Sequence, residues 1–180
     1  MMKLELGHID HPRARKIEED IDGLAQMVGQ IAALGRLESA DRSAFKSFDL
    51  ATAARKTVAD IAPWVYDNGR AVAFVNNGPV VVNGNMPLIV DAIRNLIENA
   101  VKHTPAGAKI EVAVGPGDSV TVTDDAGCYS PPASRAPGDG QGLGLDTVRR
   151  IMDIHRGRLE TKVAPGRQTT MALIFEKPAT

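Results

Sequence analysis

Residues 87–105, PLIVDAIRNLIENAVKHTP, set the terms on which the rest of the chain is read. Ile89, Ile93, Leu96 and Ala100 recur at helical spacing and mark a buried side. Asn95, Asn99 and Lys102 stand at i, i+4 and i+7, so two amides and an ammonium share one stripe, with His103 just beyond. Downstream, residues 138–151 read GDGQGLGLDTVRRI, a glycine-rich turn that runs into a helix start. Backbone N–H groups at such a start suit phosphate oxygens. A polar stripe facing a turn of this type points to a site for a magnesium-bound nucleotide.

The composition is compatible with that reading. At 180 residues the chain holds one ordinary domain, or a domain with an appendage. An apolar fraction of 43% supplies a proper core, and the aromatic fraction of 4% means that Val, Ile, Leu and Ala must build it. A formal charge of −1 gives no long-range attraction to nucleic acid or to an anionic membrane, so neither is an expected partner. Cys128 has no second cysteine to pair with inside the chain, which fits a reducing compartment. No apolar run approaches the roughly 18 residues of a membrane span. The opening MMKLELGHIDHPRARK lacks the apolar segment of a secretion signal. The expectation is a cytoplasmic body.

Spacing organises the remainder. Ile17, Ile21, Leu24, Val28 and Ile31 alternate at four and three residues, which predicts a helix over Arg13–Glu38 with a seam for a partner helix. Leu37–Ser47 reads as a polar linker, and Asp49–Asp67 as a second helix that Pro63 kinks or ends. AVAFVN and VVVN are short strands around Asn77-Gly78-Pro79. KIEVAV and SVTVTD alternate and are joined by Gly115-Pro116-Gly117-Asp118, a hairpin signal. A loop over Ala126–Gly142 precedes a helix over Leu143–His155, for which Gly157 suits the end. RLETKV and TTMALIFE close the chain as strands. Mixed helices and strands without strict alternation give an α+β two-layer sandwich: one mixed sheet, helices on one face, and an N-terminal dimerisation helix before it.

These residues resemble the catalytic ATP-binding domain of sensor histidine kinases, in the fold shared with gyrase and the Hsp90 chaperones. NLIENAVKHTP is similar to the family's N box, and GQGLGLDTVRRI to its second glycine box. HRGRLETKVAPGRQTTMALIF is similar to its closing strands. ARKIEEDIDGLAQMVGQIAALGRLES resembles the second helix of the dimerisation and phosphotransfer hairpin. The resemblance divides the chain into a partial dimerisation region at 1–42 and an ATP-binding domain at 46–180.

It also implies roles. ATP and Mg2+ are the expected cofactors. Asn99 would offer its oxygen to magnesium, an amide being a neutral donor for a hard cation. Asn95 and Lys102 would meet phosphate oxygens or metal-bound water, and His103 the phosphates or ribose. Asp124 would accept from the adenine amino group, and Gly127 would lie in the first glycine box beside it. Gly140, Gly142, Leu143 and Gly144 would present backbone to the phosphates. Asp124 shares a strand face with Val120 and Val122, whereas Asp125, the rival register, points the other way and suits a turn cap. Glu98, beside Asn99, reads as a base or equally as a surface salt-bridge residue. Implied partners are a second copy through the N-terminal helix and a response regulator.

Departures from the family are specific. In the Asp124 register, Ala126 and Cys128 replace both glycines of the first glycine box, and in the Asp125 register Tyr129 replaces the second. The lid over Ser130–Asp139 is short and has no phenylalanine. Neither His8 nor His11 stands in a phosphoacceptor motif, so the acceptor histidine lies outside this chain. The leading expectation is the catalytic portion of a two-component kinase. The alternatives are a non-catalytic dimeric module that binds a regulator or kinase, and a serine kinase of the anti-sigma-factor type.

Overall fold

The computed structural model describes residues 45–125, 142–164 and 168–176, with single positions at 21, 28, 29, 32 and 35. Those single positions are helical, and of the expected seam Ile21 is half-buried and Val28 exposed. The rest of the Arg13–Glu38 helix lies outside the described residues, as do His8, His11, Gly127, Cys128, Gly140 and the Ser130–Asp139 segment.

Strand β1 (Lys46–Asp49) runs into helix α1 (Leu50–Asp67). Strands β2 (Ala71–Asn76) and β3 (Val81–Gly84) lead to helix α2 (Met86–His103). A hairpin of β4 (Lys109–Val114) and β5 (Ser119–Asp124) follows. Helix α3 (Gly142–Ile154) and strands β6 (Arg158–Val163) and β7 (Thr169–Ile174) complete the chain.

Five strands form a mixed sheet in the order β2-β4-β5-β7-β6, in which only β2 and β4 are parallel. That parallel pair needs a long crossover, which β3 and α2 supply. Two features differ from the sequence reading. β1 replaces the end of the expected linker, and it pairs antiparallel with β3 in a second, two-stranded sheet. β2 and β3 flank the Asn77-Gly78-Pro79 turn but pair with β4 and β1 respectively, and the Val80 carbonyl accepts the Leu50 N–H at 2.8 Å.

One face of the large sheet packs under the helices. Ile110, Val112 and Val114 of β4, Val120 and Val122 of β5, and Met171 and Leu173 of β7 are all buried there. Above them α2 buries Leu88, Ile89, Ile93, Leu96 and Ile97 on one side. At about 1.5–3 kcal/mol for each large apolar side chain, this layer is the main source of stability. The outer face is polar, with Thr123 Oγ1 and Thr170 Oγ1 3.1 Å apart.

Helix ends follow local chemistry. The Asp49 carboxylate caps α1 by accepting from Ala51 N–H at 3.1 Å. Pro63 does not end α1: its cost of about 3 kcal/mol is offset by the core packing of Ile61 and Val65 on either side, worth about 1.5–3 kcal/mol each. At the end of α3, the left-handed residue is Arg156 (φ 53°), not Gly157. Bonds from Arg156 N to Asp153 O (3.1 Å) and Gly157 N to Met152 O (2.8 Å) complete a Schellman cap. Gly157 is required for space instead, since a Cβ there would lie 2.5 Å from the Ile174 carbonyl oxygen.

Candidate functional site

The geometry of the site begins at the opposite end of the molecule from its chemistry. His155, buried just after α3, accepts a hydrogen bond at Nε2 from the Asn85 N–H at 2.9 Å. Its Nδ1 lies 2.6 Å from the Ile151 carbonyl. With Nε2 accepting, the ring is the neutral tautomer that donates from Nδ1. Asn85 is also the N-cap of α2, its side chain accepting from Leu88 N–H at 3.3 Å. The C-terminal end of α3 is therefore tied to the N-terminal end of α2, and the two helices pack along each other. They run antiparallel.

That arrangement decides what meets at the other end. The 13 residues of α3 return the chain by about 20 Å along α2. The same length measured along α2 from Asn85 reaches the turn that holds Asn99. Gly142, Leu143 and Gly144, the opening turn of α3, are thus level with the amide stripe. Gly142 is already helical, one residue earlier than the sequence suggested. Gly144 is half-buried.

Asn99 is half-buried, and its Nδ2 donates toward the Met171 sulfur on β7 at 3.6 Å. Asn95 Nδ2 donates to the Asp91 carbonyl one turn back, at 2.9 Å. Each amide uses its nitrogen on the fold, and among the described residues neither amide oxygen has a hydrogen-bond donor. Lys102 is exposed and His103 half-buried, both in the last turn of α2, where the helix dipole favours cations. Burial holds the Glu98 carboxyl above the ordinary carboxylate range; Arg94 opposes the shift and Asp91 adds to it. Glu98 is half-buried on α2, one residue before Asn99.

The floor is formed where β5 ends and β7 begins. Asp124 is 5% exposed and points to the helix side, between Ile110 on β4 and Thr169 on β7. Asp125 has the other role: its Oδ1 accepts from Lys109 N–H at 2.9 Å and closes the β4–β5 ladder. The two aspartates separate as the strand alternation suggested. Thr169 is 3% exposed, and its buried Oγ1 has no hydrogen-bond partner among the described residues. Met171, beneath Asn99, is two residues along β7 from Thr169, so the amide stripe and the Asp124–Thr169 row are one pleat, about 7 Å, apart.

Thr169 was missed in the sequence, although Thr169, Met171 and Leu173 share a strand face. The same alternation that singled out Asp124 marks it as an inward polar residue. A buried carboxylate and a buried hydroxyl side by side form a small polar floor suited to a planar ring with donor and acceptor edges. Oxygen donors one pleat away suit a hard cation. The residues present therefore fit a magnesium-bound nucleotide.

Comparison with known proteins bears on the same residues. Residues 84–179 match the family described as histidine kinase-, DNA gyrase B-, and HSP90-like ATPase. Sensor protein QseC of Escherichia coli K12 is 29% identical over 169 residues, covering 84% of this chain and 37% of that protein. The chain thus spans little more than a third of that relative. The structure of the cytoplasmic segment of histidine kinase QseC superposes with a TM-score of 0.63 at 22% identity, over 94% of this chain and 98% of that one. The catalytic domain of histidine kinase ThkA gives 0.62 at 21% identity, over 72% and 92%. At these identities the structural matches speak for the fold. Among the described residues no helix is long and apolar enough to cross a membrane.

Proposed function

The chain belongs to the histidine kinase-, DNA gyrase B- and HSP90-like ATPase family, as the ATP-binding catalytic portion of a sensor histidine kinase, and from this premise we propose how it holds Mg-ATP. The Asp124 carboxylate accepts from the adenine amino group, and the Thr169 hydroxyl bonds the same ring edge. Asn99 offers its amide oxygen to magnesium. Asn95 and Lys102 contact phosphate oxygens or metal-bound water, with His103 beside them. Backbone N–H groups of Gly142, Leu143 and Gly144, and of Gly140 before them, meet the phosphates, and Gly127 lies against the base. Bound magnesium would neutralise phosphate charge.

Transfer passes the γ-phosphoryl group to a histidine outside this chain. The O–P bond to the β-phosphate breaks as the N–P bond forms, and ADP leaves. Such transfer depends chiefly on positioning and charge neutralisation, which asks for no strong base from this chain. The whole protein dimerises through the N-terminal helix, passes phosphate to a response regulator, and carries this portion on the cytoplasmic side.

The observation that supports this reading most is the antiparallel α2–α3 pair, because it brings the opening turn of α3 level with the amide stripe. Calorimetry of the full chain with a non-hydrolysable ATP analogue tests it. Magnesium-dependent binding is expected, and Asn99→Ala should weaken it by about tenfold or more with little change in melting temperature. No binding at millimolar nucleotide overturns the reading and leaves a binding module. Acid-labile phosphate on a histidine-bearing hairpin added in trans identifies the acceptor; phosphoserine would point to the anti-sigma type.

A further inference from the structure

We infer that His155 is a positioning residue for the nucleotide cleft: its neutral imidazole sets the spread between α2 and α3. The inference rests on the nucleotide reading above. Four segments meet on this one ring. Nε2 receives the N–H of the α2 cap residue Asn85, and Nδ1 holds the last turn of α3 through Ile151. The Phe45 ring stacks on it at 4.8 Å and 14°, at the point where the chain enters β1. Gly84, at the end of β3, lies so close that a Cβ would be 2.5 Å from His155 Cδ2.

A ring held on both nitrogens, one face and one edge has no freedom to shift. The helices it ties are about 20 Å long at the level of the site, so a tilt of about 3° at the ring displaces the start of α3 by about 1 Å. A misplacement of that size is enough to spoil ligand geometry. The ring does this only in one protonation state. A proton on Nε2 turns the acceptor into a donor that faces the Asn85 N–H, and the tie is lost. The charged side chains carried by the segments that meet at the ring are Lys46 and Asp49 on β1 and Asp153 and Arg156 at the end of α3. β3 and the first turn of α2 contribute no titratable side chain.

The test measures binding of the ATP analogue with magnesium to the full chain between about pH 7.5 and about pH 5.5. His155→Gln keeps an acceptor near Nε2 and removes the titration, whereas His155→Phe keeps a ring and removes the acceptor. At the upper pH, His155→Gln is expected within about twofold of the wild type and His155→Phe about tenfold weaker. Acidification should weaken the wild type more than His155→Gln. The slope that remains in His155→Gln is common to both proteins. Equal losses in the two variants, or superposable pH profiles for wild type and His155→Gln, overturn the inference. Should His155→Phe fail to fold, the two pH profiles decide alone. A wild type that binds no nucleotide at the upper pH overturns the site reading itself, and the positioning role with it.

Discussion

At the Asn85 end of the α2–α3 pair, the Asn85 N–H, its side-chain oxygen and both His155 nitrogens are engaged within the chain. At the Asn99 end, the amide nitrogens are used on the fold while the buried Thr169 hydroxyl has no partner among the described residues. The first arrangement lowers the energy of the folded chain by itself. The second costs about 1–3 kcal/mol for the hydroxyl alone and is repaid only when something else binds. The contrast separates residues that make the fold from residues that wait for a ligand, without reference to which of them are polar.

Substitutions can break or sharpen that contrast. The largest effect is expected at the closed end. Gly84→Ala drives a methyl group into a ring that is tied on both nitrogens, and overpacking of this kind costs about 1–3 kcal/mol. Denaturant titration should show the loss, and a variant as stable as wild type would mean that the ring is not held. At the open end the sign reverses. Thr169→Val removes a buried, unsatisfied hydroxyl and should raise stability by up to about 1 kcal/mol while weakening nucleotide binding by about fivefold. Loss of both stability and binding would place Thr169 with the structural residues.

Two smaller effects follow. Asp125→Ala deletes the carboxylate that receives the Lys109 N–H and should cost about 0.5–1 kcal/mol with nucleotide affinity unchanged. A drop in affinity would return the base contact to Asp125. Glu98→Gln tests a penalty. The folded-state carboxyl titrates higher than its ordinary value because of burial, so the folded chain binds the proton more readily than the unfolded chain does. Its contribution is complete below about pH 4 and is lost as pH rises through the folded value. The Gln variant should therefore melt slightly above wild type at neutral pH, and the gap should close in acid. A gap of the opposite sign would mean that the Arg94 interaction outweighs desolvation.

Much of the fold was legible from spacing alone. The hairpin over KIEVAV and SVTVTD, the helix over residues 87–103, and strands 71–76 and 158–163 were found within a residue, because each carries a clean period or a strong turn. β1 was not, because KSFD is too short to show alternation and is held by pairing with β3. The partners of β2 and β3 were hidden for the same reason, since a strand's neighbours depend on distant segments. Gly157 was read correctly as a constrained glycine for a wrong reason. Its requirement comes from Met152 and Ile174 above it, not from its own dihedral.

For the site, the sequence by itself determined which side chains share a helix stripe or a strand face. Asn95, Asn99 and Lys102 on α2, and Asp124 against Asp125 on β5, follow from periods of 3.6 and 2 that no packing can alter. Tertiary structure alone decided that the opening turn of α3 comes level with Asn99, that Thr169 flanks Asp124, and that His155 closes the far end. Those contacts join residues far apart in the chain, and local spacing holds no information about which distant faces the core brings together.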